Sequence, residues 1–137
     1  MKYSTIHMIG IILLALVTLL IFVFSLMPAS QIEQMVDFML FADFGAHMLA
    51  YTAFGFCFFL SIAKLGQNIS IGRRIREVST VMICGLLLGI LIEILQPLVQ
   101  RSSQLPDVLA DVIGTALGIS IAALFIAYFQ NIDARKQ

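Results

Sequence analysis

The chain has 137 residues, of which 61% are hydrophobic and only 12% are charged, and its mean hydropathy is +1.03. A water-soluble domain of this length could not bury so much apolar surface, so the composition excludes that class. Lys and Arg residues balance Asp and Glu residues at eight each, and the sequence contains no basic stripe that would bind a nucleic acid. The composition therefore predicts an integral membrane protein.

Four apolar segments are long enough to cross a bilayer as helices, because roughly 20 residues span a hydrocarbon core about 30 Å thick. We predict spans near residues 6–27, 45–63, 79–95 and 108–129. The first is longer than the apolar core of a signal peptide, which has roughly 7–15 residues, so we interpret it as a retained helix. The expected fold class is all-α, a compact bundle of four transmembrane helices in a single domain, 1–137.

The connections after the first and second spans differ in character. Residues 31–40, QIEQMVDFML, place apolar side chains at helical spacing among polar ones. This pattern predicts a short amphipathic helix that lies on the outer membrane surface and is too short to span it. Residues 64–78 have an ordinary polar composition with glycines, so we expect a cytoplasmic loop there.

The basic residues indicate the orientation of the chain. Of the eight Lys and Arg residues, all except Arg101 lie in the terminal segments or between the second and third spans. The positive-inside rule assigns that side of the membrane to the cytoplasm. We therefore expect a multi-pass protein of the cell membrane with both termini cytoplasmic.

Polar side chains gather at the outer ends of the last three spans. They are Asp43, His47 and Tyr51 in the second span, Glu93 and Gln96 in the third, and Asp107 and Asp111 in the fourth. Spacings of three or four residues place the members of each span on one helical face, so three polar stripes can point into one bundle. Ionisable groups beside lipid are costly and usually functional. These residues and Arg101 are the candidate ligand-binding residues.

Glycines indicate where the helices approach one another closely. Gly114 and Gly118 form a G-x3-G pattern in the fourth span, and Gly85 and Gly89 form another in the third. Small residues at this spacing let the backbones of membrane helices come together. We expect both helices to pack closely against a neighbour.

The order of these residues carries a family resemblance. The pattern D-x3-H-x3-Y begins at Asp43, and G-x3-E-x2-Q-x4-R-x5-D-x3-D-x2-G-x3-G begins at Gly89, within residues 40–120. This arrangement resembles the VanZ family of small membrane proteins, whose namesake is associated with low-level resistance to the glycopeptide teicoplanin. Members often have Lys and Asn where this chain has Phe44 and Asp111. The resemblance implies a role in envelope properties or in teicoplanin-type susceptibility.

The candidate residues suit two kinds of chemistry. The planar guanidinium of Arg101 can hold a phosphate or carboxylate, while His47 and the acids can exchange protons or coordinate a divalent cation. We interpret the site as one that engages a membrane lipid or a lipid-linked glycan head group. The alternative is an enzyme acting on a lipid phosphate, with Glu93 and His47 as acid and base and Arg101 holding the phosphate. The sequence alone assigns no cofactor and leaves a metal undetermined.

Other interpretations stay open. In a purely structural network, Glu93 and His47 hydrogen-bond each other and Arg101 pairs with Asp107 or Asp111. Polar pairs between membrane helices stabilise a bundle by only about 0.6 kcal/mol on average. This stabilisation is too small to explain why so many titratable groups occur together. A small transporter is disfavoured, because the first span carries no charge and no inverted repeat is visible. Since four helices enclose little interior, a homo-oligomer remains an alternative to a monomer.

Overall fold

Long helices account for most of the chain that the computed structural model describes, which comprises residues 3–28, 42–65 and 69–134. They are α1 (Tyr3–Ser25), α2 (Ala42–Ile62), α3 (Ile71–Leu95) and α4 (Leu105–Ala134). A short 3-10 helix, Gln96–Val99, continues directly from α3. All four long helices are long and apolar enough to cross a membrane, and no strand occurs within these described ranges. The predicted all-α fold with four spans is confirmed, whereas the amphipathic helix predicted at 31–40 lies outside the described residues.

The largest difference from the predicted spans is the start of α3. The helix begins at Ile71, so the prediction that residues 64–78 form a loop is wrong for residues 71–78. The Ser70 side chain accepts a hydrogen bond from the backbone N–H of Arg73 and so caps the helix. This cap lets α3 start two turns earlier than hydrophobicity alone predicts. The helices α1, α2 and α4 each start within one turn of the predicted positions.

A buried carboxylate stabilises this added part of α3. Glu77 is 4% exposed, and it accepts hydrogen bonds from Arg73 Nε at 2.8 Å and from Arg74 Nη1 at 2.9 Å. The backbone N–H of Lys64 also donates to Glu77, at 2.9 Å. The arginines precede Glu77 by four and three residues, the spacing at which side chains on a helix meet. Glu77 therefore joins the start of the α2–α3 connection to the first turns of α3.

Helix α2 is central, since it packs most extensively on α4 and also contacts α1 and α3. Gly114 of α4 faces the carbonyl of Met48, and Gly118 faces the carbonyl of Thr52, so α2 and α4 run parallel. A side chain at either glycine would collide with the α2 backbone. The predicted close approach of the fourth span to a neighbour is confirmed, and that neighbour is α2.

The other two helices run antiparallel to this pair. In α3, Gly85 lies against Thr115 of α4 and Gly89 lies against Asp111, so the two sequences run in opposite directions. Gly10 of α1 lies against the backbone of Ser61 near the end of α2. The carboxyl ends of α1 and α3 therefore lie at the same end of the bundle as the amino ends of α2 and α4. We call this end the polar end.

The rest of the interior is apolar. At the end opposite the polar end, the core contains Phe59, Leu60, Val81, Ile119, Ala122 and Ile126. A second cluster of Ile21, Phe54 and Ile92 surrounds Tyr51 nearer the polar end. Many large apolar side chains face outward instead, as expected where lipid rather than water is the surrounding medium. Among the described residues, burial of polar side chains is thus concentrated at the polar end, and Glu77 is buried at the opposite end.

Candidate functional site

Buried polar side chains from three helices meet at the polar end. They are His47 of α2, Glu93 at the end of α3, Gln96 just after it, and Asp107, Asp111 and Thr115 of α4. Burying a polar group is costly unless it is hydrogen-bonded, and burying a charge is costlier still. The partners of these side chains therefore indicate whether they serve the fold or a ligand.

His47 and Asp111 link α2 to α4. The His47 Nδ1 lies 2.9 Å from Asp111 Oδ1, and the two side chains are 6% and 1% exposed. When Asp111 is ionised, its carboxylate only accepts hydrogen bonds, so Nδ1 is then the donor and the tautomer of the imidazole is fixed. One turn further along α2, the Tyr51 ring lies parallel to the imidazole with ring centroids 6.5 Å apart. The contacts with Asp111 and Tyr51 thus hold the imidazole in one orientation.

The turn between α3 and α4 holds Glu93. The backbone N–H of Gln104 donates to Glu93 Oε2 at 2.7 Å. This turn consists of the 3-10 helix, with Pro97 in its first turn, and of Gln100 in the left-handed region with a φ of 62°. The reversal brings the start of α4 beside the end of α3. A residue eleven positions away in sequence therefore fixes one oxygen of the Glu93 carboxylate.

His47, Glu93 and Asp107 form a cluster of potential ligands. One ligand atom from each of these buried side chains lies within 4.8 Å of the other two. The three residues come from three different helices, so helix packing rather than local sequence creates the cluster. An imidazole nitrogen and two carboxylate oxygens can coordinate a divalent cation, and they are also groups that transfer protons.

Several buried atoms of the site have no hydrogen-bond partner within the described parts of the chain. These atoms are Glu93 Oε1 and both amide atoms of Gln96. The Tyr51 hydroxyl oxygen and Asp111 Oδ2 also lack a partner in good hydrogen-bond geometry, although the two side chains interact with each other. Asp111 Oδ2 points at α3, where a Cβ built on Gly89 would lie 2.5 Å from it. Each such unsatisfied group destabilises a protein by about 1–3 kcal/mol. Burial of these atoms is therefore unfavourable unless a partner outside the described residues binds them.

Arg101 lies where this turn meets the end of α1. Its Nη1 donates to the carbonyl oxygens of Phe24 and Ser25 at 3.3 and 3.5 Å. These carbonyls belong to the last turn of α1, where they lack intrahelical donors and carry the negative end of the helix dipole. The half-buried guanidinium therefore connects α1 to the polar end.

The structure brings together most of the residues predicted for the site. It buries His47, Tyr51, Glu93, Gln96, Asp107 and Asp111 at one end of the bundle. Asp43 falls one turn before His47 in α2, and its side chain lies outside the described part of the structure. Within the described residues, His47 bonds Asp111, and Glu93 bonds the backbone N–H of Gln104. These bonds differ from the direct bond between His47 and Glu93 in the alternative structural network.

Two contacts of the site were not predicted from the sequence. The donor to Glu93 is the backbone N–H of Gln104, and a backbone donor leaves no signature in residue type. The contact of Arg101 with α1 joins residues 77 positions apart and depends on how α1 docks. The bond between Glu77 and the arginines could have been predicted, because Arg73 and Arg74 have the spacing of helical ion pairs with Glu77.

The helices and the site define a multi-pass membrane protein with a buried polar cluster at one end of its bundle. The chain belongs to the VanZ/LLP1 family, whose family model matches residues 10–126. The match therefore includes α2 and α3 in full, most of α1 and α4, and every candidate site residue. No curated protein and no solved structure matches the chain.

Proposed function

We propose that this VanZ-like membrane protein binds the head group of a membrane lipid or a lipid-linked glycan at its polar end. Through this binding it modulates envelope properties, including susceptibility to glycopeptides of the teicoplanin type. The observation that carries the proposal is the set of buried atoms without hydrogen-bond partners among the described residues. A head group inserted between the helix ends would supply partners for these atoms.

The types of these atoms favour a head group with both phosphate and hydroxyl groups. Glu93 Oε1 and Asp111 Oδ2 are acceptors when ionised, so they suit the hydroxyls of a sugar or of glycerol. The Tyr51 hydroxyl and the Gln96 amide group can donate. A phosphate would be repelled by the carboxylates and attracted by Arg101, whose guanidinium suits phosphate geometry. The phosphate therefore lies on the Arg101 side and the hydroxyls on the carboxylate side.

Binding of head-group-labelled lipids to the purified protein tests this proposal. One probe is short-chain phosphatidylglycerol, which represents a membrane lipid. The other is a polyprenyl diphosphate sugar, which represents a lipid-linked glycan. We expect saturable binding of at least one probe. Arg101→Ala and Glu93→Gln should each weaken it about tenfold or more, because each removes a charge-assisted hydrogen bond of about 1.5–3 kcal/mol.

The matched control is Arg76→Ala, which removes an exposed arginine at the other end of α3. This variant should bind both probes like the unchanged protein. If Arg101→Ala and Glu93→Gln insert normally and still bind both probes with full affinity, the polar residues serve the fold and the proposal is wrong.

A second candidate function is an enzyme that acts on a lipid phosphate. The hydrogen bond between His47 and Asp111 favours it, because a carboxylate that orients an imidazole is the usual arrangement of a general base. In that case His47 or Glu93 transfers the proton and Arg101 holds the phosphate. Release of a labelled head group in the same incubation, lost in His47→Gln, would favour the enzyme. Saturable binding without product would favour the binder.

We propose further that the polar end faces away from the cytoplasm and that both termini are cytoplasmic, as the distribution of basic residues predicts. Cysteine labelling in a Cys57→Ala, Cys84→Ala background tests this orientation. Residue 103 is exposed in the turn before α4. In intact cells, we expect a membrane-impermeant thiol reagent to label the cysteine of the Ser103→Cys variant. Ile71→Cys, 80% exposed at the opposite end, should react only after lysis. The reverse pattern would contradict the orientation.

A further inference from the structure

We propose that His47, Glu93 and Asp107 form a binding site for a divalent transition-metal ion, with Zn²⁺ as its natural probe. One ligand atom from each residue lies within 4.8 Å of the other two. Bonds of about 2.0–2.2 Å to zinc place the ligand atoms of a tetrahedral site about 3.3–3.6 Å apart. Closing the cluster around an ion would therefore bring these atoms nearer to one another. This proposal does not depend on lipid binding.

The state of Glu93 is an independent indication of a ligand. Its side chain is 6% exposed, and the Gln104 N–H fixes Oε2 while Oε1 has no partner among the described residues. An oxygen buried in this way loses its hydration without gaining a hydrogen bond, which is unfavourable for an ionised carboxylate. A metal ion bound to Oε1 would replace the lost water. The Gln104 bond would then orient the carboxylate for coordination through one oxygen.

His47 has the outer partner that histidine ligands of metals usually have. Its Nδ1 lies 2.9 Å from Asp111 Oδ1, so Nε2 is the nitrogen that would bind the ion. A carboxylate on the far nitrogen fixes the ring orientation and makes the imidazole a stronger ligand. Asp111 would therefore be a positioning residue that acts through His47 rather than a ligand.

The ligand types indicate which class of ion fits. Ca²⁺ and Mg²⁺ are bound mostly by oxygen atoms, whereas an imidazole nitrogen suits zinc and other first-row transition ions. Glu93 and Asp107 carry two negative charges when ionised, which a divalent ion neutralises. Three protein ligands leave a coordination position open, as in zinc sites that bind water or a substrate. The site is therefore suited to hold an ion that also contacts a further molecule.

Zinc titration of the full-length protein tests the proposal. The protein is purified in detergent, stripped with a chelator and dialysed against Zn²⁺, and bound metal is measured by mass spectrometry. We expect one zinc ion per chain. Glu93→Gln and Asp107→Asn should lose this binding, whereas Asp111→Asn should weaken it roughly 10–100-fold, as loss of an outer partner does. Co²⁺ should give a visible absorption band in the unchanged protein that Glu93→Gln lacks.

The control is Glu77→Gln, which alters another buried glutamate of α3 at the other end of the bundle. It should bind zinc like the unchanged protein, and only variants that stay monodisperse and helical are compared. The proposal is overturned if the unchanged protein binds no zinc at micromolar concentration, or if Glu93→Gln binds it equally well. Displacement of Zn²⁺ by equal concentrations of Ca²⁺ or Mg²⁺ would also overturn it. If the unchanged protein binds zinc but binds neither lipid probe, only the proposed function is refuted.

Discussion

Replacing Gly118 with Val is expected to destabilise the bundle by about 3 kcal/mol, the upper end for overpacked sites, and to separate α2 from α4. A Cβ at this position would collide with the carbonyl oxygen of Thr52 and lie 2.6 Å from the backbone nitrogen of Phe56. These are backbone atoms of a long helix, so neither can move without shifting α2 as a whole. Because α2 carries His47 and α4 carries Asp111, the same shift should break the hydrogen bond at the centre of the site.

Thermal unfolding in detergent measures this effect, with a thiol-reactive fluorophore reporting when the buried Cys57 becomes accessible. Gly72→Ala is the matched control, since a Cβ at Gly72 meets no atom within 4 Å in the first turn of α3. That change should be neutral or should stabilise the protein by about 0.5–1 kcal/mol, because alanine is the better helix former. Equal unfolding temperatures for Gly118→Val and the unchanged protein would mean that α2 and α4 are not in contact there.

The four spans could be predicted from the sequence because the thickness of the bilayer sets the length of an apolar helix. The polar stripes could be predicted for a similar reason, since a period of 3.6 residues places His47 and Tyr51 on one face whatever surrounds the helix. Burial of these residues at one end of the bundle agrees with both predictions. Length and periodicity are local properties, so a single sequence is enough to read them.

Pairing between stripes could not be predicted, because it depends on the rotation and axial position of each helix relative to its neighbours. Gly114 and Gly118 set the position of α4 on α2, which brings Asp111 within hydrogen-bonding distance of His47. The early start of α3 has another cause. A side-chain cap from Ser70 and an ion pair at Glu77 compensate for low hydrophobicity there. Such compensation is visible in the sequence only when capping and charge spacing are weighed against hydropathy.

Two buried glutamates on α3 show how a structural carboxylate differs from the one in the candidate site. Glu77 accepts hydrogen bonds from Arg73, Arg74 and the Lys64 backbone. Glu93 accepts one from the Gln104 backbone and lies close to a second carboxylate, that of Asp107. Like charges at short range in a poorly solvated site repel each other strongly. We therefore expect Glu77 to stabilise the fold and Glu93 to lower its stability unless a ligand is bound.

Replacing each glutamate with glutamine should accordingly affect the free energy of unfolding differently at the two positions. Glu77→Gln is expected to destabilise the protein by about 1–3 kcal/mol, because it weakens hydrogen bonds to two arginines and one backbone N–H. The loss of stability stays within this range because water partly screens these ion pairs. The side chains of Arg73 and Arg74 are 48% and 33% exposed. In the presence of a chelator, Glu93→Gln should leave the free energy of unfolding unchanged or raise it, because it removes the repulsion from Asp107 and keeps an acceptor for Gln104.

The same unfolding measurement decides between the two accounts of the polar end, since both variants carry the same chemical change on the same helix. If Glu93→Gln destabilises the protein as much as Glu77→Gln does, Glu93 is a structural residue and the case for a ligand at the polar end fails. If only Glu77→Gln is destabilising, the folded state tolerates a charge at Glu93 that does not stabilise it. Retention of a destabilising charge at a buried position is typical of functional sites, where stability is given up for binding or chemistry.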